Sequence, residues 1–345
     1  MTGKVVTFGE ALMRLSPPGF LRINQTQAFN ASFGGAEANV AVSLARFGVE
    51  VDYITRLPGN EIGEACLEFF RKHGLGLQGV IRGGDRLGLY FCETGAAQRP
   101  SLVVYDRAHS SLATMTPEMV DWKSIFSHAA WFHFTGITPA LSASVAEVCA
   151  EAVKTARDMG LTVSCDMNYR SKLWKWGKQA SEVLPGLLEF CHLVIGNEED
   201  ADKVLGIKAP GTNIITGEID PGRYHLVCEQ IASRFPNLST IAITLRGSLS
   251  ASHNTWSALL WHAGQIYTGP RYDIFPVIDR VGGGDAFSAG LIYGMMNYPD
   301  DLQQALDFAV ASSCLKHSIQ DDLNLISLSE VRKLMQGDAS GRVAR

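Results

Sequence analysis

The chain has no basic excess. Over 345 residues, 30 Lys and Arg stand against 35 Asp and Glu, a formal net charge of −5, whereas a nucleic-acid binder needs a basic footprint. It has no apolar run of membrane-spanning length. The short apolar stretch near its start, Val5-Val6-Thr7-Phe8, is too brief for a signal peptide, and no small-residue cleavage site follows it. Its seven cysteines (66, 92, 149, 165, 191, 228 and 314) form no Cys-x-x-Cys pair and no metal-ligand spacing. An odd, scattered set argues against a disulfide framework or a zinc module. It is expected of reduced, core-filling thiols in the cytoplasm. There is no internal repeat and no low-complexity run. The first strand leads into Glu10-Ala11-Leu12 rather than a glycine-rich turn, so the nicotinamide-binding fingerprint is missing as well.

What the chain has is an alternation of short apolar runs and helical patterns. Strands are expected near 5–8, 51–55, 131–135, 161–165, 192–196 and 239–245. Helices are expected from the 3.6-residue spacing near 36–47, 62–70, 142–159, 285–297 and 301–317. This is an α/β pattern, a mostly parallel sheet with helices on both faces. Trp256–Trp261 reads as an antiparallel edge strand, and Arg246-Gly247-Ser248 as the turn that ends the strand before it. Two stretches break the rhythm. Residues 11–33 carry Ser16-Pro17-Pro18-Gly19, a turn signal, and 87–107 read as a β-hairpin. Together they predict a small β-sheet lid beside a core made of 1–10, 34–86 and 108–336. Residues 206–223 read as a loop insertion, 337–345 as a disordered polar tail, and Ser327-x-x-Glu330 as a capping box.

The organising stretch is Asp279-Arg280-Val281-Gly282-Gly283-Gly284-Asp285-Ala286-Phe287-Ser288-Ala289-Gly290. Glycines at a helix start aim free amides outward, which with the helix dipole suits a phosphate. A carboxylate in such a cradle makes sense if Asp285 faces a hydroxyl and takes its proton while the amides of Gly282, Gly283 and Gly284 stabilise a transferring phosphoryl group. A flexible turn with Asp285 as a simple N-cap accounts for the same residues. Upstream, Gly34-Gly35 opens a helix whose Asn39 is an amide on an apolar face, either satisfied within the helix or aimed at a polyol. His133 reads as a packed core histidine, since no carboxylate or serine partner is placed for it.

The order Asp-x-x-Gly-x-Gly-Asp-x-Phe-x-x-Gly, with Gly-Gly-x-x-x-Asn-x-Ala before it, resembles the two signatures of the ribokinase-like (PfkB) carbohydrate kinases. The resemblance implies a three-layer α/β/α fold with a β lid that often forms a dimer interface, and ATP-dependent phosphorylation with Asp285 as base. It implies sugar contacts from Gly34, Gly35, Asn39, Tyr90, Tyr105, Arg107, Ile137 and Arg170. Nucleotide contacts are implied for Asn168, Asn197, Thr244, Arg246, Gly247, Gly282 and Gly284. Mg²⁺ is expected through water on Asn197 and Asp200. Here Asp stands where the family pattern has Glu, with Glu198 as a substitute, and Asp279 and Val281 lie where a monovalent cation would bind. Asp166-x-Asn168-x-Arg170-x-x-Leu173-Trp174 is similar to the 2-keto-3-deoxygluconate kinases and their fructokinase-like relatives. Cys314-Leu315-Lys316-His317-Ser318-Ile319 is similar to the adenine side of the keto-deoxy sugar-acid kinases, although Gln320-Asp321-Asp322 replaces the usual Pro-Gly-Asp. Two buried arginines, 107 and 170, are then expected to clamp a sugar carboxylate. The expected substrate is 2-keto-3-deoxy-D-gluconate. A neutral ketose such as fructose is the alternative, and a catalytically inactive sugar-binding regulator is the alternative of another class.

Overall fold

The computed structural model describes residues 3–208 and 221–338. Its central sheet runs, in spatial order, Gln265–Thr268, His253–His262, Thr240–Ser250, Leu193–Gly196, Thr162–Asp166, Ala129–Thr135, Lys4–Phe8 and Val51–Ile54, with Tyr272–Ile274 also paired to His253–His262. From Thr240–Ser250 to Val51–Ile54 all neighbours are parallel. Alternate residues of the first strand enter opposite cores: Val6 and Phe8 pack with the helix Ala143–Asp158, Val5 with the helices Ala36–Arg46 and Gly283–Asn297. A strand buried on both faces is the reason these runs are continuously apolar, and two helical layers around one sheet make the α/β/α sandwich.

The registers align the carboxyl ends of these strands. Asp166 sits beside Thr135 and Ile195, and Gly196 beside Ile243. Open parallel sheets bind ligands along this edge. Over it stands a second sheet of order Asn30–Gly34, Leu12–Ser16, Gly88–Glu93, Leu102–Asp106, assembled from the two stretches that broke the α/β rhythm.

Local chemistry fixes the helix ends. Ser142 accepts from the Val145 amide, Asp301 from that of Gln304, and Ser327 and Glu330 form the expected reciprocal box. Three expectations change. The strand Thr240–Ser250 continues through Arg246, Gly247 and Ser248, because Trp256, Thr255 and Asn254 pair with them; the turn comes after Ser250. His253–His262 is not an edge strand, since Gln265–Thr268 and Tyr272–Ile274 cover it. A helix, Pro221–Arg234, begins within the expected 206–223 insertion. Positions 209–220 of that insertion and 339–345 of the expected tail lie outside the described residues. All seven cysteines are free and six are buried. His133 is a core residue: Nδ1 lies 2.8 Å from Ser164 Oγ, and burial pushes its pKa down to about 3. No described helix is long and apolar enough to cross a membrane.

Candidate active site

The helix Gly283–Asn297 starts at the carboxyl edge of the sheet, with Gly282 as its N-cap at φ +81°. Only glycine adopts that conformation without strain, and a Cβ there would lie 2.1 Å from the Asp322 carbonyl oxygen. The Gly283 amide donates to the Arg280 carbonyl at 3.3 Å. Those of Gly282, Gly284 and Asp285 meet no acceptor among the described residues, which leaves the positive end of the dipole open.

Asp285 is 9% exposed. Asn39 Nδ2, reaching over from Ala36–Arg46, donates to its Oδ2 at 2.7 Å, while Asn39 Oδ1 is buried with no partner. Burial raises the Asp285 pKa to about 7; Asp322 and Glu37 push the same way, and the Asn39 hydrogen bond and Arg170 oppose them. Asp285 is therefore poised to exchange a proton near neutrality.

In front of Asp285 opens a cleft of about 430 Å³, the size of a small-molecule site. Gly35, Asn39 and Ile137 line it from the core, and Asn168, Arg170, Asn197 and Asp200 from the strand ends. Thr244 and Arg246 continue the wall toward Gly282, Gly283, Gly284 and Asp285, and the second sheet adds Tyr90, Tyr105 and Arg107. Gly34 and Gly247 do not line it. Gly34 backs the wall, where a Cβ would meet Asp322 Oδ2 at 2.4 Å, and Gly247 is spent on strand pairing with Thr255.

The arginine pair differs from expectation. Arg107 is buried, stacks over the Tyr105 ring at 5.5 Å, and is already held by Glu10, whose Oε2 accepts from Nε at 2.7 Å and from Nη2. Arg170 is not buried; it is exposed, and its Nη1 donates to the Tyr169 carbonyl at 3.1 Å. Its position just past a strand end keeps it in solvent. Tyr90 is buried and donates to Asp322 at 2.5 and 2.6 Å. Arg170, Arg246 and Arg280 have no carboxylate within ion-pair distance among the described residues. Three unpaired guanidinium groups along one cleft of an acidic protein favour an anionic ligand.

Sequence reasoning missed Glu10, Arg14 and Glu37. Glu10 lies just past the first strand, so the strand-end rule that singled out Asp166 would have found it. Arg14 shares the buried face of its strand with Leu12 and Ser16, while Met13 and Leu15 are only half-buried; the apolar–polar alternation of Met13-Arg14-Leu15-Ser16 points the charge the other way, so the sequence held no signal for it. Glu37 is fully buried and accepts from Thr135 N at 3.0 Å, Thr135 Oγ1 at 2.7 Å and Thr138 Oγ1 at 2.6 Å; its helix periodicity alone gave no hint.

No group of three or more acidic, His or Cys side chains among the described residues forms a metal cage. Asp200 accepts from the Tyr169 and Asn197 amides, each at 2.8 Å, and its own amide donates to Asn197 Oδ1 at 3.0 Å. The side chain of Glu198 is not among those described. Asp166 and Asp200 are buried carboxylates facing the cleft, their pKa values raised first by burial; for Asp166, Asp200 and then Asp285 add to the effect. That charge would be relieved by a hydrated cation. The donor set fits Mg²⁺ held mainly by nucleotide phosphates and water.

A profile of pfkB family carbohydrate kinases matches residues 2–219. The chain belongs to that family. The remaining third, which carries Asp285, is covered by full-length relatives. The chain is 32% identical over 343 residues to the 2-dehydro-3-deoxygalactonokinase of Haloferax volcanii, covering 99% of each. It is 44% identical to the crystallised 2-dehydro-3-deoxygluconokinase of Thermotoga maritima, with TM-score 0.92 over 97% of this chain and 100% of that one. A fructokinase from Xylella fastidiosa with bound ATP, 22% identical, shares the fold at TM-score 0.79, covering 98% of this chain and 99% of that one. A pfkB carbohydrate kinase is thus the setting in which the cleft and its loop are to be read.

Proposed function

We propose that this sugar kinase transfers the γ-phosphoryl group of ATP to the terminal hydroxyl of a 2-keto-3-deoxy sugar acid, best 2-keto-3-deoxy-D-gluconate. The observation that carries the reaction is Asp285, a buried carboxyl with pKa near 7 at a helix start whose free amides face the same cleft. The hydroxyl donates to Asp285, and the proton passes to it as the oxygen attacks phosphorus. Asn39 fixes the carboxylate through Nδ2 and offers its orphaned Oδ1 to a sugar hydroxyl. The amides of the glycine loop and the unpaired Arg246 and Arg280 take the charge that develops on the phosphoryl oxygens. Asn197 and Asp200 would hold the water shell of Mg²⁺, which when bound neutralises the nucleotide phosphates. Asn168 and Thr244 complete the nucleotide side, with Gly247 holding the strand beside them.

Arg170 supports an acid substrate, being an exposed guanidinium at the cleft mouth with only Nη1 engaged, on the Tyr169 carbonyl, and no carboxylate partner among the described residues. Arg107 uses Nε and Nη2 on Glu10, which leaves Nη1 for the substrate. The clamp is therefore Arg170 first, with Arg107 and Tyr105 closing from the lid. The internal Glu10–Arg107 pair is also what favours the second reading, a neutral ketose kinase needing only one arginine. An inactive regulator has no use for an acid raised to neutrality in an anion cradle. One of the relatives is named for the galactonate and the other for the gluconate. ADP release should be compared for 2-keto-3-deoxygluconate, 2-keto-3-deoxygalactonate and fructose, in the wild type and in Arg170→Ala. Losing a charge-assisted fork should cost roughly 10- to 100-fold in kcat/KM on the acids and little on fructose. Equal losses on acid and neutral sugar would discard the clamp and leave the kinase.

The lid's outer face carries Leu102 at 47% and Val104 at 46% exposure, apolar surface suited to a second copy of the chain. We read the protein as at least a dimer through this face, and as a cytoplasmic enzyme with no membrane or nucleic-acid partner.

A further inference from the structure

Against the glycine loop three carboxylates crowd together: Asp279, Asp321 and Asp322, the last of which also reaches the wall of the cleft. Asp279 and Asp322 are 5% and 4% exposed. Left alone they would expel the loop or draw in a cation from solvent, since buried charge without a partner is costly. What meets them is Arg14, 1% exposed and carried by the lid strand Leu12–Ser16. Its Nη2 donates to Asp279 Oδ2 at 2.6 Å, Nη1 to Asp322 Oδ1 at 2.8 Å and Nε to Ser16 Oγ at 2.8 Å. Asp279 Oδ1 accepts in turn from the Val281 amide at 3.0 Å, one residue before the N-cap glycine. Asp322 presents its carbonyl to Gly282 and its carboxylate to Tyr90, and Tyr90 is the register partner of Arg14 in the lid. The buried Lys316 lies behind the same glycine and donates to the Ile319 carbonyl at 3.1 Å.

We propose that Arg14 is the resident cation of the phosphoryl-transfer loop: a positioning residue that ties the lid to the loop's amides and fills the place a monovalent cation would take beside Asp279. It follows that turnover needs no added monovalent cation. This rests on the reading of the loop and Asp285 given above. The amides hold their aim because Val281 is pinned through Asp279, and Asp279 is pinned by the guanidinium.

The test is chemical rescue. Truncating one member of a buried ion cluster is expected to cost kcat about a hundredfold in Arg14→Ala, with KM for sugar and ATP nearly unchanged. Guanidinium at ~50 mM, far below denaturing levels, should restore at least about a tenth of wild-type turnover by filling the hole. Arg14→Lys keeps the charge without the fork and should fall between. Wild-type activity should be the same in potassium, sodium and tetramethylammonium buffers, a comparison that needs no variant to fold. A folded Arg14→Ala with normal kcat, a loss that guanidinium does not restore, or a wild type strongly stimulated by potassium would each overturn the proposal. Asp285→Asn assayed alongside reports on the base alone: full turnover there overturns the phosphoryl-transfer reading, whereas failed rescue overturns only the cation.

Discussion

Replacing Asp285 with Asn should make the enzyme nearly inactive and, at alkaline pH, more stable. The carboxyl has a pKa of about 7 in the folded protein against 3.8 for the free side chain. Between those values the folded chain keeps a proton that the unfolded chain has lost, so stability falls as pH rises through that window. By pH 8 the whole penalty is present, about three pH units at 1.36 kcal/mol each, or ~4 kcal/mol. Asparagine carries no charge to desolvate and can still accept from Asn39 through its carbonyl, so the variant escapes the penalty. For a chain of this size, roughly 2 °C per kcal/mol gives a Tm rise of about 8 °C at pH 8. Below about pH 3 the carboxyl is protonated in both states, and the two proteins should melt together. Losing a general base costs roughly 10²- to 10⁴-fold in kcat. Thermal melts of wild type and variant across the pH range, beside turnover at pH 8, make the test. A Tm difference independent of pH, or a variant less stable at pH 8, would refute the claim that desolvation sets this pKa. Near-wild-type turnover would remove Asp285 as the base.

The same carboxyl predicts that kcat/KM for the sugar climbs about tenfold per pH unit below 7 and levels above it; a flat profile from pH 5.5 to 8.5 would contradict a base with that pKa. Gly282→Ala places a Cβ 2.1 Å from the Asp322 carbonyl oxygen at a positive φ, so it should cost about 1–3 kcal/mol of stability and lower turnover more than it weakens sugar binding, as read by melts and a kcat–KM split. Leu102→Asp with Val104→Asp should shift the protein to a smaller species in light scattering without altering the melt by more than a few degrees; an unchanged mass would remove the lid face as the interface.

The parts of the site that were legible in the sequence are those whose chemistry is local. Gly282 to Asp285 fit one turn of chain, and their residue types fix what the turn can do. The strand ends at Asp166 and Asn197 were legible because open parallel sheets bind ligands there whatever their sequence. Asn39 was legible as an amide on an apolar helix face, though its partner, Asp285, lies 246 positions away. The parts that were not legible are pairings made only by topology: Glu10 with Arg107 across 97 positions, Arg14 with Asp279 across 265 and with Asp322 across 308. Periodicity reports at most which face a residue takes; it does not report what waits on that face. The strand through Arg246, Gly247 and Ser248 was misread for a related reason. Glycine signals a turn when judged by its neighbours in sequence, yet here it is held extended by Thr255 across the ladder.

These unseen pairs share a physical role. The legible motif puts an acid and an open helix terminus together, an arrangement that burial alone would drive apart or protonate. Asp285 is kept near neutrality rather than far above it partly because Asn39 and Arg170 oppose its burial. The carboxylates against the loop are likewise met by Arg14 rather than left to repel the incoming phosphate. The glycines and Asp285 can thus be read locally while the charges that make them workable come from the first strand, the lid and the last connecting segment. A fragment carrying the motif without those segments would lose the Arg14 tie to Asp279 and Val281, and with it the aim of the loop. For that reason the reactivity of this loop belongs to the whole fold and not to the signature that identifies it.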